Sequence, residues 1–253
     1  MYLTWLNSNS WLIEMAGQKI LLDPWLVGSL VFGNLSWLIK IDRLSELPIP
    51  DAIDLILLSQ GLEDHAHPET LEQLDRQIPV VASPNAAKVV NRLGYQQVTA
   101  LAHGESFTLA NRLKIQAVPG SLVGPTLVEN GYVLTDLQQG TSLYYEPHGN
   151  HAPMLKDLAP IDVVIAPIVD LQLPVVGAII RGRKATVELA KLLKPKVILP
   201  TAAGGDVEMT GFLPKFLKAE GTAAELQSRL AAAQLTTQVI EPKPGSRFEV
   251  AVA

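Results

Sequence analysis

Two short loops concentrate the side chains that could do chemistry. The first is LSQGLEDHAHPET, Leu58–Thr70, where Asp64, His65 and His67 follow an apolar run, with Glu63 and Glu69 beside them. The second is EPHGNH, which contributes Glu146, His148 and His151. Four of the chain's five histidines fall in these two loops, and His103 is the exception. Imidazoles and carboxylates grouped in this way can hold a divalent cation or move protons. The chain has no cysteine, so disulfides and thiolate chemistry are excluded, and any metal must be held by His, Asp, Glu or water. A metal-free alternative stays open. Asp64 can accept backbone N–H groups within its loop while His65 bonds to it, and His67, just before Pro68, suits a helix entry. His148, between Pro147 and Gly149, sits where composition predicts a turn. No phosphate loop, Rossmann glycine signature or Gly-x-Ser-x-Gly elbow is present, so a serine-hydrolase explanation has no support.

The elements that must position these loops can be read along the chain. Tyr2–Leu6, Ser10–Met15 and Gln18–Asp23 are short, apolar and separated by Asn/Ser or Ala-Gly turns, which predicts a β-meander. Asp54–Leu58 is a continuous apolar strand, Pro68–Arg76 a short helix, and Val80–Ala82 another strand. Pro84–Leu93 has Ser83 as its cap and Gly94 as its stop, which predicts a helix. Four strands follow between Glu105 and Tyr145. Then come a strand at Asp162–Ala166, a helix at Lys184–Leu193, a strand at Lys196–Leu199, a helix near Ala223–Ala233, and closing strands at Thr237–Ile240 and Arg247–Val252. Strands first, then alternating helices and strands, suggest sheets packed between helices in one domain spanning residues 1–253. The apolar run Ile168–Gly182 reads as a core segment. With Trp25, Phe32 and Trp37 it could instead roof a pocket or form a contact between copies of the chain.

Composition narrows the function classes. A mean hydropathy of +0.22 is high, yet the uncharged run Pro24–Ile39 is broken by glycines and too short to span a bilayer, so no transmembrane segment is expected. The amino terminus lacks a basic leader pattern, which points to the cytoplasm. The formal charge of −5 comes without a Lys/Arg stripe, so nucleic acid is not an expected partner.

The opening LTWLNSNSWLIEMAGQKILLDPWL resembles the first strands of the metallo-β-lactamase superfamily, in its branch of metal-dependent hydrolases and lactonase-like proteins. Further matches follow in order at Leu55–His67, HGESFTLANRLKIQAVPG, TSLYYEPHG, DVVIAPI and LKPKVILPT. The resemblance covers nearly the whole chain. It implies an α+β fold, a four-layer αββα sandwich with mixed β-sheets, whose site lies along one edge. The family's His-x-His-x-Asp-His pattern falls on Gln60, Leu62, Asp64 and His65, so the first two imidazoles are missing. Leu62 has no lone pair, and the Gln60 amide is a poor zinc ligand. A family histidine expected near the end of the strand Leu113–Val118 meets Pro119-Gly120-Ser121-Leu122. The metal-bridging aspartate falls near Glu146-Pro147-His148, and the last family histidine near Thr201-Ala202.

The resemblance therefore implies a reduced site with at most one divalent ion, zinc or iron, on Asp64, His65 and His148. Asp64 and Glu146 are then candidates for proton handling, with Gln60, His67, His151 and Asp23 as supporting candidates. The expected function is hydrolysis of a small ester- or lactone-type substrate. The rival expectation is a metal-free member of the fold that binds a ligand or partner and holds no cofactor. Self-association through the apolar loops belongs to either reading.

Overall fold

The computed structural model describes residues 1–123, 126–174, 177–202 and 204–251. The chain divides into two compact units. One comprises Met1–Leu101, Gly204–Leu217 and Lys243–Glu249; the other takes Ala102–Ala203, Lys218–Pro242 and the carboxyl-terminal residues from Val250.

In the first unit the expected meander forms. Strands Tyr2–Trp5, Trp11–Met15 and Gln18–Leu22 pair antiparallel, with Trp11 opposite Leu22 and Met15 opposite Gln18. Their second turn is the two residues Ala16 and Gly17, both at positive φ (56° and 73°), the geometry a tight hairpin needs to follow the strand twist. Leu55–Leu58 then joins parallel to Gln18–Leu22 and is buried at every position, which explains its unbroken apolar run. Val80–Ala82 and Val98–Ala100 extend the parallel part, and Arg247–Glu249 closes the other edge, giving seven strands. The steps from Leu55–Leu58 to Val80–Ala82 and from there to Val98–Ala100 each cross over through a helix. Pro68–Gln73 is capped by His67, whose ring accepts the Thr70 N–H, and Pro84–Arg92 is capped by Ser83. Leu71, Ala86, Ala87 and Val90 of these helices pack on Leu21, Ile56, Leu58 and Val80 of the sheet.

The second unit repeats the plan with its own seven strands. Ser106–Leu109, Leu113–Val123, Leu127–Asp136 and Ser142–Tyr145 pair antiparallel, and Val163–Ile165, Val197–Leu199 and Gln238–Val239 continue in parallel. Helices Ala185–Leu193 and Ala223–Ala232 bury Leu189, Leu193, Leu226 and Leu230 against Val118, Tyr144, Val164 and Ile198. In both units the chemistry-bearing loop leaves the carboxyl end of a central strand: Ser59–His67 follows Leu58, and Glu146–His151 follows Tyr145. Loops at the carboxyl ends of strands are where open sheets place ligands.

Some elements differ from the sequence reading. The run Ile168–Gly182 is not a core loop; it holds strands Asp170–Leu173 and Gly177–Arg181, which with Lys218–Glu220 form a small separate sheet. Its side chains are mostly half-buried or exposed, with Ile180 buried, and residues 175–176 lie outside the described residues. The closing strand ends at Glu249, and residue 252 of the expected span also lies outside them. Another small sheet, Leu30–Val31, Lys40–Arg43 and Val207–Thr210, was not anticipated. Trp25 is buried and Trp37 is exposed. Among the described residues no helix is long and apolar enough to cross a membrane.

Candidate metal centre

In the first unit the site is built around the imidazole of His65. Asp23 directly follows the Gln18–Leu22 strand and is fully buried. Its Oδ1 accepts the Ser59 N–H at 2.7 Å, and its Oδ2 accepts the Ser59 hydroxyl and lies 2.7 Å from His65 Nδ1. A carboxylate can only accept, so Nδ1 carries a hydrogen and donates it. The other ring nitrogen, Nε2, lies 3.1 Å from Asp64 Oδ2 and 3.4 Å from Asn9 Nδ2. Asn9 also donates to Asp64 Oδ2 at 3.2 Å and to the Asp64 carbonyl at 3.3 Å, which ties this loop to the first turn of the meander. Burial alone would depress the His65 pKa, but the charges of Asp64 and Asp23 and the hydrogen bonds to them outweigh it and push the pKa up to about 10. The ring is therefore a cation in the metal-free protein, held between two acids.

In the second unit Glu146 organises the other loop. Its carboxylate is fully buried and accepts the Ser121 hydroxyl, the His148 N–H at 3.2 Å, the Gly149 N–H at 2.6 Å and the Asn150 N–H at 2.8 Å. Burial pushes its pKa up, while the hydrogen bonds from Ser121, Asn150, His148 and Gly149 pull it down. The loop turns at Gly149, where φ is +83° and a Cβ would lie 1.8 Å from the Arg181 carbonyl oxygen, so only glycine fits. His148 Nδ1 lies 2.9 Å from Ser121 Oγ. His151 Nδ1 lies 3.1 Å from the Tyr144 hydroxyl and 3.9 Å from Glu146 Oε2; burial lowers its pKa to about 4, so it is neutral at pH 7.

The structure thus gathers Asp23, Asp64 and His65 within one unit, and Glu146, His148 and His151 within the other. His67 caps its helix and faces the Ser29 carbonyl at 3.4 Å, and burial lowers its pKa. Gln60 is fully buried, and Leu62 sits at the start of the turn that presents His65, its carbonyl accepting the His65 N–H at 3.0 Å. Sequence reasoning missed Asn9, Ser59 and Ser121. Ser121 had a signal, since it stands where the family pattern lacks its expected histidine; Asn9 and Ser59 had none beyond their polarity.

The donor chemistry tests what the two loops can hold. One carboxylate and two imidazoles are hard-to-borderline donors suited to zinc or iron.

Residues 2–202 match the family model described as "Beta-lactamase superfamily domain". Comparison with curated proteins found no match. Among solved structures, the chain is similar to an isothiocyanate hydrolase from Delia radicum gut bacteria, at TM-score 0.72 and 16% identity, with 99% of each chain covered. It is also similar to a metallo hydrolase from the archaeon Ignicoccus hospitalis (0.68, 19%, 99% of each chain). A third similar structure is a possible metal-dependent hydrolase from Veillonella parvula (0.73, 12%, 99% of each chain). At these identities the likeness is one of fold, α+β with mixed sheets.

Proposed function

Because the chain belongs to the metallo-β-lactamase superfamily, a family of metal-dependent hydrolases, we propose that it is a hydrolase with a single-ion site acting on a small ester- or lactone-type substrate. Asp64, His65 and His148 supply the ligands. The observation that carries this reading is the buried Asp23 carboxylate on His65 Nδ1, which leaves Nε2 as the nitrogen turned toward Asp64. A carboxylate behind a histidine fixes its ring and raises its basicity as a ligand. A divalent ion held there would acidify bound water toward neutral pH and polarise a carbonyl. The chain's own residues then divide the work. Asp23 and Ser59 orient His65, Glu146 and Ser121 hold the His148 loop, and in this reading Asp64 or Glu146 takes a proton from water in the site. Zinc or iron suits the set, and the cytoplasm, without nucleic acid as a partner, suits the composition. The family match draws on segments of both compact units, which supports reading residues 1–253 as one domain.

The test is hydrolysis of an ester, lactone and isothiocyanate panel by protein loaded with zinc or iron, beside His65→Ala. The isothiocyanate is included because one structural neighbour is described as hydrolysing that class. Activity in the parent that falls to background in the variant supports the reading; equal activity in both refutes it. A second reading has its own observation. His65 has a carboxylate beside each ring nitrogen, a pairing that would satisfy both nitrogens as N–H donors in a metal-free binding module. That reading expects background hydrolysis in both proteins at any metal concentration.

A further inference from the structure

Ser121 lies near the end of the strand Leu113–Val123, where the pairing register with Leu127–Asp136 shifts between Pro119 and Leu122. Such an irregularity re-aims the side chains that follow it. Gly120 permits it, because a Cβ there would meet the Gly131 nitrogen at 2.7 Å. Ser121 is buried while Leu122 is exposed.

The Ser121 hydroxyl oxygen has two partners, Glu146 Oε1 and His148 Nδ1, but only one hydrogen to donate. Glu146 also receives the backbone N–H groups of His148, Gly149 and Asn150, so its carboxylate is the acceptor in each of these contacts, that with the Ser121 hydroxyl included. The serine proton therefore goes to Glu146, and the serine oxygen must accept from the imidazole.

We propose that Ser121 is a positioning residue that sets the ring state of His148: Glu146 takes the serine hydrogen, Ser121 takes the His148 Nδ1–H, and Nε2 becomes the ligand atom. This rests on the single-ion reading. The strand end where the resemblance expects a metal-binding histidine supplies instead the support for a different one. The relay reproduces, through one intervening hydroxyl, the direct Asp23 contact with His65 Nδ1.

The test has two arms. In the first, protein carrying ¹⁵N-histidine is studied without metal, with His148 assigned by its loss in His148→Gln. The parent should show a protonated Nδ1 at His148. Ser121→Ala should shift population toward the form protonated only at Nε2, and Ser121→Thr, which keeps the hydroxyl, should restore the parent pattern. In the second arm zinc alone is titrated into the same proteins. Ser121→Ala should bind about 10- to 100-fold more weakly, the usual cost of losing such a support, and Ser121→Thr should stay close to the parent. A parent His148 that carries hydrogen only on Nε2 overturns the proposal, and needs no variant to fold. So does a folded Ser121→Ala with unchanged ring state and zinc affinity. If the ring states behave as expected but the parent takes up no zinc, the Ser121 assignment stands and the single-ion reading falls.

Discussion

Replacing Asp23 by asparagine tests the His65 arrangement at its most buried point. The carboxylate takes three bonds, from the Ser59 N–H, the Ser59 hydroxyl and His65 Nδ1, with all three residues fully buried. Asparagine keeps one acceptor oxygen, enough for the Ser59 N–H, but turns an NH₂ group toward the Nδ1–H or the Ser59 hydroxyl and removes the charge. Breaking a buried ion pair while leaving its partner in place costs about 3–5 kcal/mol. For a chain of this size each kcal/mol corresponds to about 2–4 °C, so the unfolding midpoint should fall by about 6–20 °C. Zinc affinity should fall about 10- to 100-fold, because the ring loses its orienting carboxylate. The assay is thermal unfolding of metal-free protein beside zinc titration of the same samples. A variant that melts within about 2 °C of the parent and binds zinc equally well would refute the role of Asp23 and the ring-orientation argument built on it, since a shift that small is less than one kcal/mol.

Other outcomes follow from the same geometry. The folded-state pKa of His65 is raised from 6.5 to about 10, so its contribution is complete below about pH 6.5 and lost as pH rises through about 10. Urea titrations of metal-free protein at pH 6 and pH 10 should differ by up to about 5 kcal/mol from this group, and His65→Gln should flatten the difference. His151 behaves oppositely: its folded pKa is lowered to about 4, so stability present above about pH 6.5 is lost as pH falls toward 4, by up to about 3 kcal/mol, and His151→Gln should reduce that loss. Gln60→His combined with Leu62→His should raise zinc uptake by restoring imidazoles at the family's first position; unchanged uptake in a folded protein would count against that placement.

Much of the fold could be read before the structure because local signals agreed with the tertiary arrangement. The Ala-Gly turn, the apolar run at Leu55–Leu58 and the Ser83-Pro84 helix start each specify their own geometry, and each formed as expected. The small sheets could not be read this way. Lys40–Arg43 and Val207–Thr210 are half-buried or exposed strands far apart in sequence, paired with each other, and at four residues each they are too short for the alternation in Val-Glu-Met-Thr to announce them. The apolar composition of Ile168–Gly182 predicts burial, whereas its two strands pair with mostly half-buried or exposed side chains. For the site, side-chain type singled out the two loops but not the partners behind the rings. Ser59 and Ser121 act through a single hydroxyl whose meaning depends on which carboxylate and which imidazole the fold brings beside it. Asp23, taken from the sequence as a lesser candidate, proves to be the carboxylate that orients His65.

The most direct test of the central claim is the metal content of protein purified without chelator, measured for the parent and for His65→Ala and His148→Ala. About one equivalent of zinc or iron per chain is expected in the parent, as one three-residue ligand set requires, and its loss in both variants. Two equivalents in the parent, or an equivalent that survives removal of either histidine, would contradict it.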